Sequence, residues 1–131
     1  HNSCRGEKMD KFIKEIFSIL IKILPSDWEK IVLHIVLGKN NQSIAFFVKD
    51  KSTLRYHSFV DLQNLGIFTK FEFQNISMQL GKLSREYQKT YEKEWTGYTL
   101  VIFRDGKNFI DFEFEQNSNI LSIGWNKKYL S

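Results

Sequence analysis

Cysteine and proline are nearly absent from this sequence. The single cysteine, Cys4, cannot close an intramolecular disulfide, so a disulfide framework is excluded and a reducing compartment is the simple expectation. One proline and seven glycines exclude collagen-like or linker-like material. No apolar run approaches the roughly 18 residues that a membrane-spanning helix needs. Residues 16–24 are apolar apart from Ser18 and Lys22, but they are too short to span and lack a small-residue cleavage site, so a secretory signal is not expected either. G-x-S-x-G, G-x-G-x-x-G, the P-loop and H-E-x-x-H are all missing. What is present is an aromatic share of 15%, with 12 Phe, 5 Tyr and 3 Trp in 131 residues, which suits a well-packed domain. A hydrophobic share of 42% and a charged share of 26% exclude disorder as the default.

Nineteen basic and fifteen acidic residues leave a net charge of +4. Both signs are interspersed over most of the chain, whereas nucleic-acid binders gather their positive charge on one face. Charge therefore implies neither a nucleic-acid partner nor a membrane one. Residues 1–8 (HNSCRGEK) show no periodicity and precede Met9. They read as an upstream or vector-derived segment, with one domain expected over residues 9–131.

Phe12, Ile13, Ile16, Phe17, Leu20 and Leu24 recur at helical spacing, and Pro25 stops that helix. From Lys30 the period changes to two. Ile31, Leu33, Ile35 and Leu37 face one way, and Val32, His34 and Val36 the other, which predicts a central strand with two apolar faces. A turn at residues 38–41 leads to an antiparallel partner over 43–49, and a weaker third strand is expected over 53–59. Residues 60–70 have no clear period and read as loop or a short helical turn. Phe73, Ile76, Leu80, Leu83, Tyr87 and Tyr91 predict a long amphipathic helix. Strands over 98–104 and 108–115 follow, joined by Asp105-Gly106 as a type I′ turn. In the polar tail, Ile120, Leu121, Ile123, Trp125, Tyr129 and Leu130 could pin the chain to the body. Strand runs separated by helices, without βαβ alternation, predict an α+β two-layer domain: an antiparallel sheet of about five strands packed against two amphipathic helices.

The chemistry-bearing residues are sparse. His34, on an otherwise apolar strand face, reads as a satisfied core histidine rather than a base, and His57 as an exposed one. No zinc site, other metal site or cofactor is implied. Asp105-Gly106-Lys107 has the letters of a nuclease D-x-K, but its place at a turn argues against that role. Asp111, Glu113 and Glu115 alternate with Ile110, Phe112 and Phe114, so a strand would hold three carboxylates in a row, either solvated or as a ridge for a partner. Lys82, Arg85, Lys89 and Lys93 fall in one sector of the long helix, opposite its apolar stripe, with Glu86 and Glu92 partly offsetting them.

Three landmarks occur in order: Leu24-Pro25-Ser26-Asp27-Trp28-Glu29-Lys30-Ile31 after the first helix; Trp95-Thr96 followed by a strand and Asp105-Gly106-Lys107-Asn108-Phe109-Ile110-Asp111-Phe112; and Trp125 with Lys128-Tyr129-Leu130. In this set the sequence resembles the YezG-like family of bacterial antitoxin or immunity proteins, over residues 9–130. The resemblance implies a small, non-enzymatic cytoplasmic protein. Its partner would be the C-terminal domain of a cognate toxin, secreted or delivered by contact between cells and associated in this family with nuclease activity, whose active site it would occlude. Two features depart from the family pattern: this chain is basic where relatives tend to be acidic, and Phe114-Glu115 replaces a tyrosine and an acid. Trp28, Trp95 and Trp125 are expected to be core and tail anchors, leaving the acidic row and the basic helix face as candidate toxin contacts. A nucleic-acid-binding module is the alternative reading, and a small metal-dependent nuclease a more distant one.

Overall fold

The structure is a computed structural model that describes residues 6–90, 95–114 and 123–131. Strand β1 (Trp28–Leu37) is its centre, as the two-faced pattern predicts. It pairs antiparallel with β2 (Gln42–Asp50) on one side and β4 (Gly97–Phe103) on the other. β3 (Tyr56–Ser58) and β5 (Asn108–Glu113) complete a five-stranded antiparallel sheet in the order β3-β2-β1-β4-β5.

On one face Ile31, Leu33 and Ile35 are fully buried, together with Phe46, Tyr98 and Leu100. Two helices cover them: α1 (Gly6–Leu20), through Phe12, Ile13, Ile16 and Leu20, and α3 (Lys70–Thr90), through Ile76 and Leu80. Helix α1 begins ahead of the periodic residues that mark it, so Glu7 and Lys8 belong to the helix. It ends in a 3-10 turn (Ile21–Ile23), and Leu24 is already extended before Pro25. On α3, Ser84 is buried with its hydroxyl 2.7 Å from that of Tyr98, one polar bolt between helix and sheet.

Two local outcomes differ from the sequence reading and one settles an alternative it left open, each for a physical reason. The third strand starts only at Tyr56, because the Asp50 carboxylate accepts hydrogen bonds from the Ser52 and Thr53 amides and from the Thr53 hydroxyl (2.7 Å), curling the chain. Leu54 completes that turn at a left-handed φ of 59°. The segment after the third strand contains a true helix, α2 (Phe59–Asn64), held by a capping box between Ser58 and Asp61. A second reciprocal pair, Thr69 with Glu72, starts α3. At the β4–β5 tip only Gly106 of the Asp-Gly pair has positive φ (97°), with its amide bonded to the Phe103 carbonyl. That geometry is a type I turn closed by a left-handed glycine, not the expected type I′ turn.

The tail supplies a further cover. Helix α4 (Ile123–Tyr129) packs Trp125 and Tyr129 against Val32 and Val101 on the opposite face of the sheet.

All three tryptophans are buried, as expected of anchors. Trp28 packs beside Phe17, and the Arg104 guanidinium lies 4.9 Å from its ring centroid while donating to the Ser26 and Trp28 carbonyls. A register shift between Trp28 and Lys30 places this ring with the α1 side of the core. Trp28→Ala is expected to cost about 3–5 kcal/mol, read as a lower urea midpoint at unchanged slope. An unaltered midpoint would mean that the ring contributes no packing.

Candidate functional site

The sheet face under α4 gathers most of the unusual polar groups. Asp111 and Glu113 stand on this face of β5, opposite Thr99 and Gly97 of β4. Neither carboxylate is left to solvent alone. Asp111 accepts a 2.6 Å hydrogen bond from the Tyr129 hydroxyl and lies 3.4 Å from the Lys128 ammonium. Glu113 reaches across Gly97 to His34, with its Oε1 3.2 Å from the imidazole Nε2. Gly97 is required for that reach: a Cβ there would fall 2.6 Å from the Ile35 carbonyl oxygen and 3.1 Å from Glu113 Oε1. Both carboxylates are thus engaged from inside the molecule. Glu115 lies outside the described residues.

His34 is only 4% exposed and sits edge-on to Trp125, with ring centroids 5.9 Å apart. Burial lowers its pKa below 6.5; the Glu113 charge and hydrogen bond oppose the shift without reversing it. Lys30 is the second buried polar group, 7% exposed. Its ammonium donates a 2.6 Å bond to the Tyr129 carbonyl and lies 5.3 Å from the Tyr56 ring centroid and 5.6 Å from that of Phe103. Burial, then the neighbouring charge of Lys49, pulls its pKa below 10.5. Tyr56 donates to the Ser131 carbonyl (3.1 Å), and burial pushes its own pKa up to about 12. Burial first, and Asp111 after it, raise the Tyr129 pKa, so that hydroxyl stays a donor. Together these groups form a clasp that holds α4 to the sheet.

The basic stripe has a different character. Lys82 and Lys89 are exposed, whereas Arg85 is half-buried and spends its guanidinium on the β1–β2 turn, donating to the carbonyls of Gly38 and Asn41. Lys93 lies outside the described residues. Lys82, Arg85 and Lys89 line one shallow depression with Gln42, Met78 and Glu86. Its floor exists because Gly81 has no side chain and Gln42 lies over it. Met78 and, about two turns earlier, Phe71 were not singled out by sequence. The signal was their seven-residue spacing in phase with Lys82, which places them on the outer side of the helix.

Elsewhere, a more enclosed apolar pocket of about 450 Å³ lies between α1 and the β4–β5 tip, walled by Ile13, Phe17, Trp28 and Ile102. Asp105 and Lys107 occupy that exposed tip with 4.0 Å between their charged atoms. Among the described residues, no group of three His, Cys, Asp or Glu side chains could hold a metal ion, and no helix is long and apolar enough to cross a membrane.

The clasp can be tested at two of its members. In Lys30→Met protein, which leaves the Tyr129 carbonyl without its charged donor, amide exchange over residues 127–130 should accelerate about ten-fold or more; unchanged rates would remove Lys30 from the clasp. His34 has a folded-state pKa below its unfolded value, so its contribution to stability is complete above about pH 6.5 and declines as the pH falls through and below that value. His34→Gln should flatten this part of the stability–pH curve, measured by urea unfolding. Parallel curves for the two proteins would contradict the assignment.

Comparison with known proteins gives two findings. Residues 9–129 match the family described as "Immunity protein YezG-like". A curated relative, "Immunity protein YezG" of Bacillus spizizenii, is 24% identical over 113 residues, which cover 82% of this chain and 70% of the relative.

Proposed function

The chain belongs to the YezG-like family of immunity proteins, and from that premise we propose that it binds a cognate bacterial toxin domain, a nuclease, and neutralises it by covering the active site. The observation that carries this reading is the family match, which spans both covering layers of the sheet and all three tryptophan anchors. The role is inhibitory and non-enzymatic, and its place is the cytoplasm, where a toxin delivered from a neighbouring cell would act.

Two charged features are the proposed toxin contacts. The first is the row of Asp111, Glu113 and Glu115; the second is the stripe of Lys82, Arg85, Lys89 and Lys93. The internal bonds of Asp111 and Glu113 make the row the weaker of the two, because docking there would compete with the α4 clasp. Among the described residues Lys82 and Lys89 have no such commitment. A net charge of +4 favours steering towards an acidic or neutral partner.

The test is co-expression with the toxin domain encoded by the adjoining gene. Growth should be restored by this chain and not by an unrelated immunity protein, and the two purified proteins should form a stable complex. Alone, the chain should cleave neither DNA nor RNA in the presence of magnesium, manganese or zinc. Cleavage that disappears in Asp105→Ala or Asp111→Ala protein would overturn the inhibitory reading.

A further inference from the structure

Helix α3 carries two stripes. The inner one, Ile76, Leu80 and Ser84, is buried against the sheet. The outer one consists of Phe71, Met78, Lys82, Arg85 and Lys89, at successive spacings of 7, 4, 3 and 4 residues. At about 100° per residue these five positions fall within a sector of about 60°. They extend along about 27 Å of helix. Phe71 is 76% exposed and Met78 69% exposed. Single exposed apolar residues are ordinary, but two of this size in line on one helix face, directly followed by cations, form an organised surface. Val60 in α2, and Leu65 and Ile67 between α2 and α3, are exposed apolar side chains as well. Among the described residues neither Lys82 nor Lys89 forms an ion pair with a carboxylate, and Glu86, on the rim of the same depression, is the one acid beside them there.

We propose that this outer stripe of α3 is the docking surface for the toxin domain, and that it takes a protein face which is apolar where it meets Phe71 and Met78 and acidic where it meets Lys82 and Lys89. The proposal rests on the immunity reading and specifies its interface. Charge complementarity selects the occupant. A nucleic-acid strand would use the cations but leave the apolar half of the stripe against its phosphates. A second copy of the chain is disfavoured in either orientation: antiparallel pairing sets lysines against Phe71 and Met78, and parallel pairing sets lysines against lysines. A protein with an apolar knob beside a carboxylate cluster satisfies both halves. Arg85 shapes this surface from below by holding the β1–β2 turn against the helix.

The experiment measures binding kinetics with a catalytically inactive form of the toxin domain encoded by the adjoining gene. Wild type is compared with Phe71→Ser/Met78→Ser, Lys82→Glu/Lys89→Glu, Met78→Ser alone and Asp111→Asn/Glu113→Gln, each first confirmed as folded by circular dichroism and thermal midpoint. Removing the apolar pair should weaken binding by about 30-fold or more, mainly through faster dissociation. Reversing the two lysines should slow association about ten-fold at low salt, with the difference shrinking as salt rises. If wild type binds and all three α3 variants bind within about two-fold of it, the docking surface is wrong while the immunity reading stands. The docking surface is equally wrong if only the Asp111/Glu113 variant loses affinity. A wild-type protein that fails to bind this toxin domain overturns the immunity reading, and the docking surface with it. Salt-sensitive binding of a 20-base-pair duplex that is lost in Lys82→Glu/Lys89→Glu protein, or a wild-type dimer that Phe71→Ser/Met78→Ser converts to monomer, would replace the toxin with a nucleic acid or a second copy.

Discussion

The burial of β1 on both faces is the constraint from which the rest of the architecture follows. A strand that is apolar on both sides must be flanked by strands at its edges and covered above and below. β2 and β4 satisfy its backbone, and α1 with α3 covers the odd-numbered side chains. The even-numbered side would expose Val32 and Val101 if nothing lay on it, and α4 meets that need with two aromatic side chains. Such a short helix has little stability of its own. It persists because each side chain it buries also completes a hydrophobic surface that the sheet leaves unfinished.

The second face differs from the first in how polar groups enter it. Beneath α1 and α3 the polar contacts are few, of which the Ser84–Tyr98 pair is the clearest. Beneath and beside α4, two charged or ionisable side chains of β1, Lys30 and His34, meet partners from the tail and from β5. A buried polar group left without a partner costs more than a typical satisfied bond contributes, so this arrangement favours one position of α4 over its neighbours. The face is therefore selective as well as adhesive. It also explains why Asp111 and Glu113 are poorly placed to serve a partner: their geometry is already spent on the protein's own tail.

Much of this was legible in sequence. The change of period from 3.6 to two at Lys30 marks the passage from α1 to β1, and the Ile76–Leu80 stripe marks the buried side of α3. The resemblance carried by Trp28, Trp95 and Trp125 agrees with the family match. Helix α2 was legible only as one of two alternatives, because six residues are too few to show a helical period; the deciding signal was the capping pair Ser58 and Asp61. The engagement of Asp111 and Glu113 was hidden for another reason. Alternation along a strand says which side chains share a face, but not which distant segment covers that face. The same limit applies to Arg85, whose place in the basic stripe is visible in sequence while its bonds to Gly38 and Asn41 depend on how α3 crosses the sheet.

The pairing of β1 with β4 sets Lys30 opposite Phe103, with more than half of the chain between them. The β1–β2 hairpin is local and can form early, but the other edge of the central strand stays open until α2, α3 and the approach to Trp95 have been laid down. Closing so long a loop costs conformational entropy before its contacts can compensate. The order of assembly is thereby biased: hairpin first, the α3 crossing next, and the β4–β5 pair last among the strands. During synthesis on the ribosome the nascent chain passes through a stage in which the central strand of the sheet has one unpaired edge. The length of that stage is set by translation of the whole segment between β2 and β4 rather than by the chemistry of any single contact.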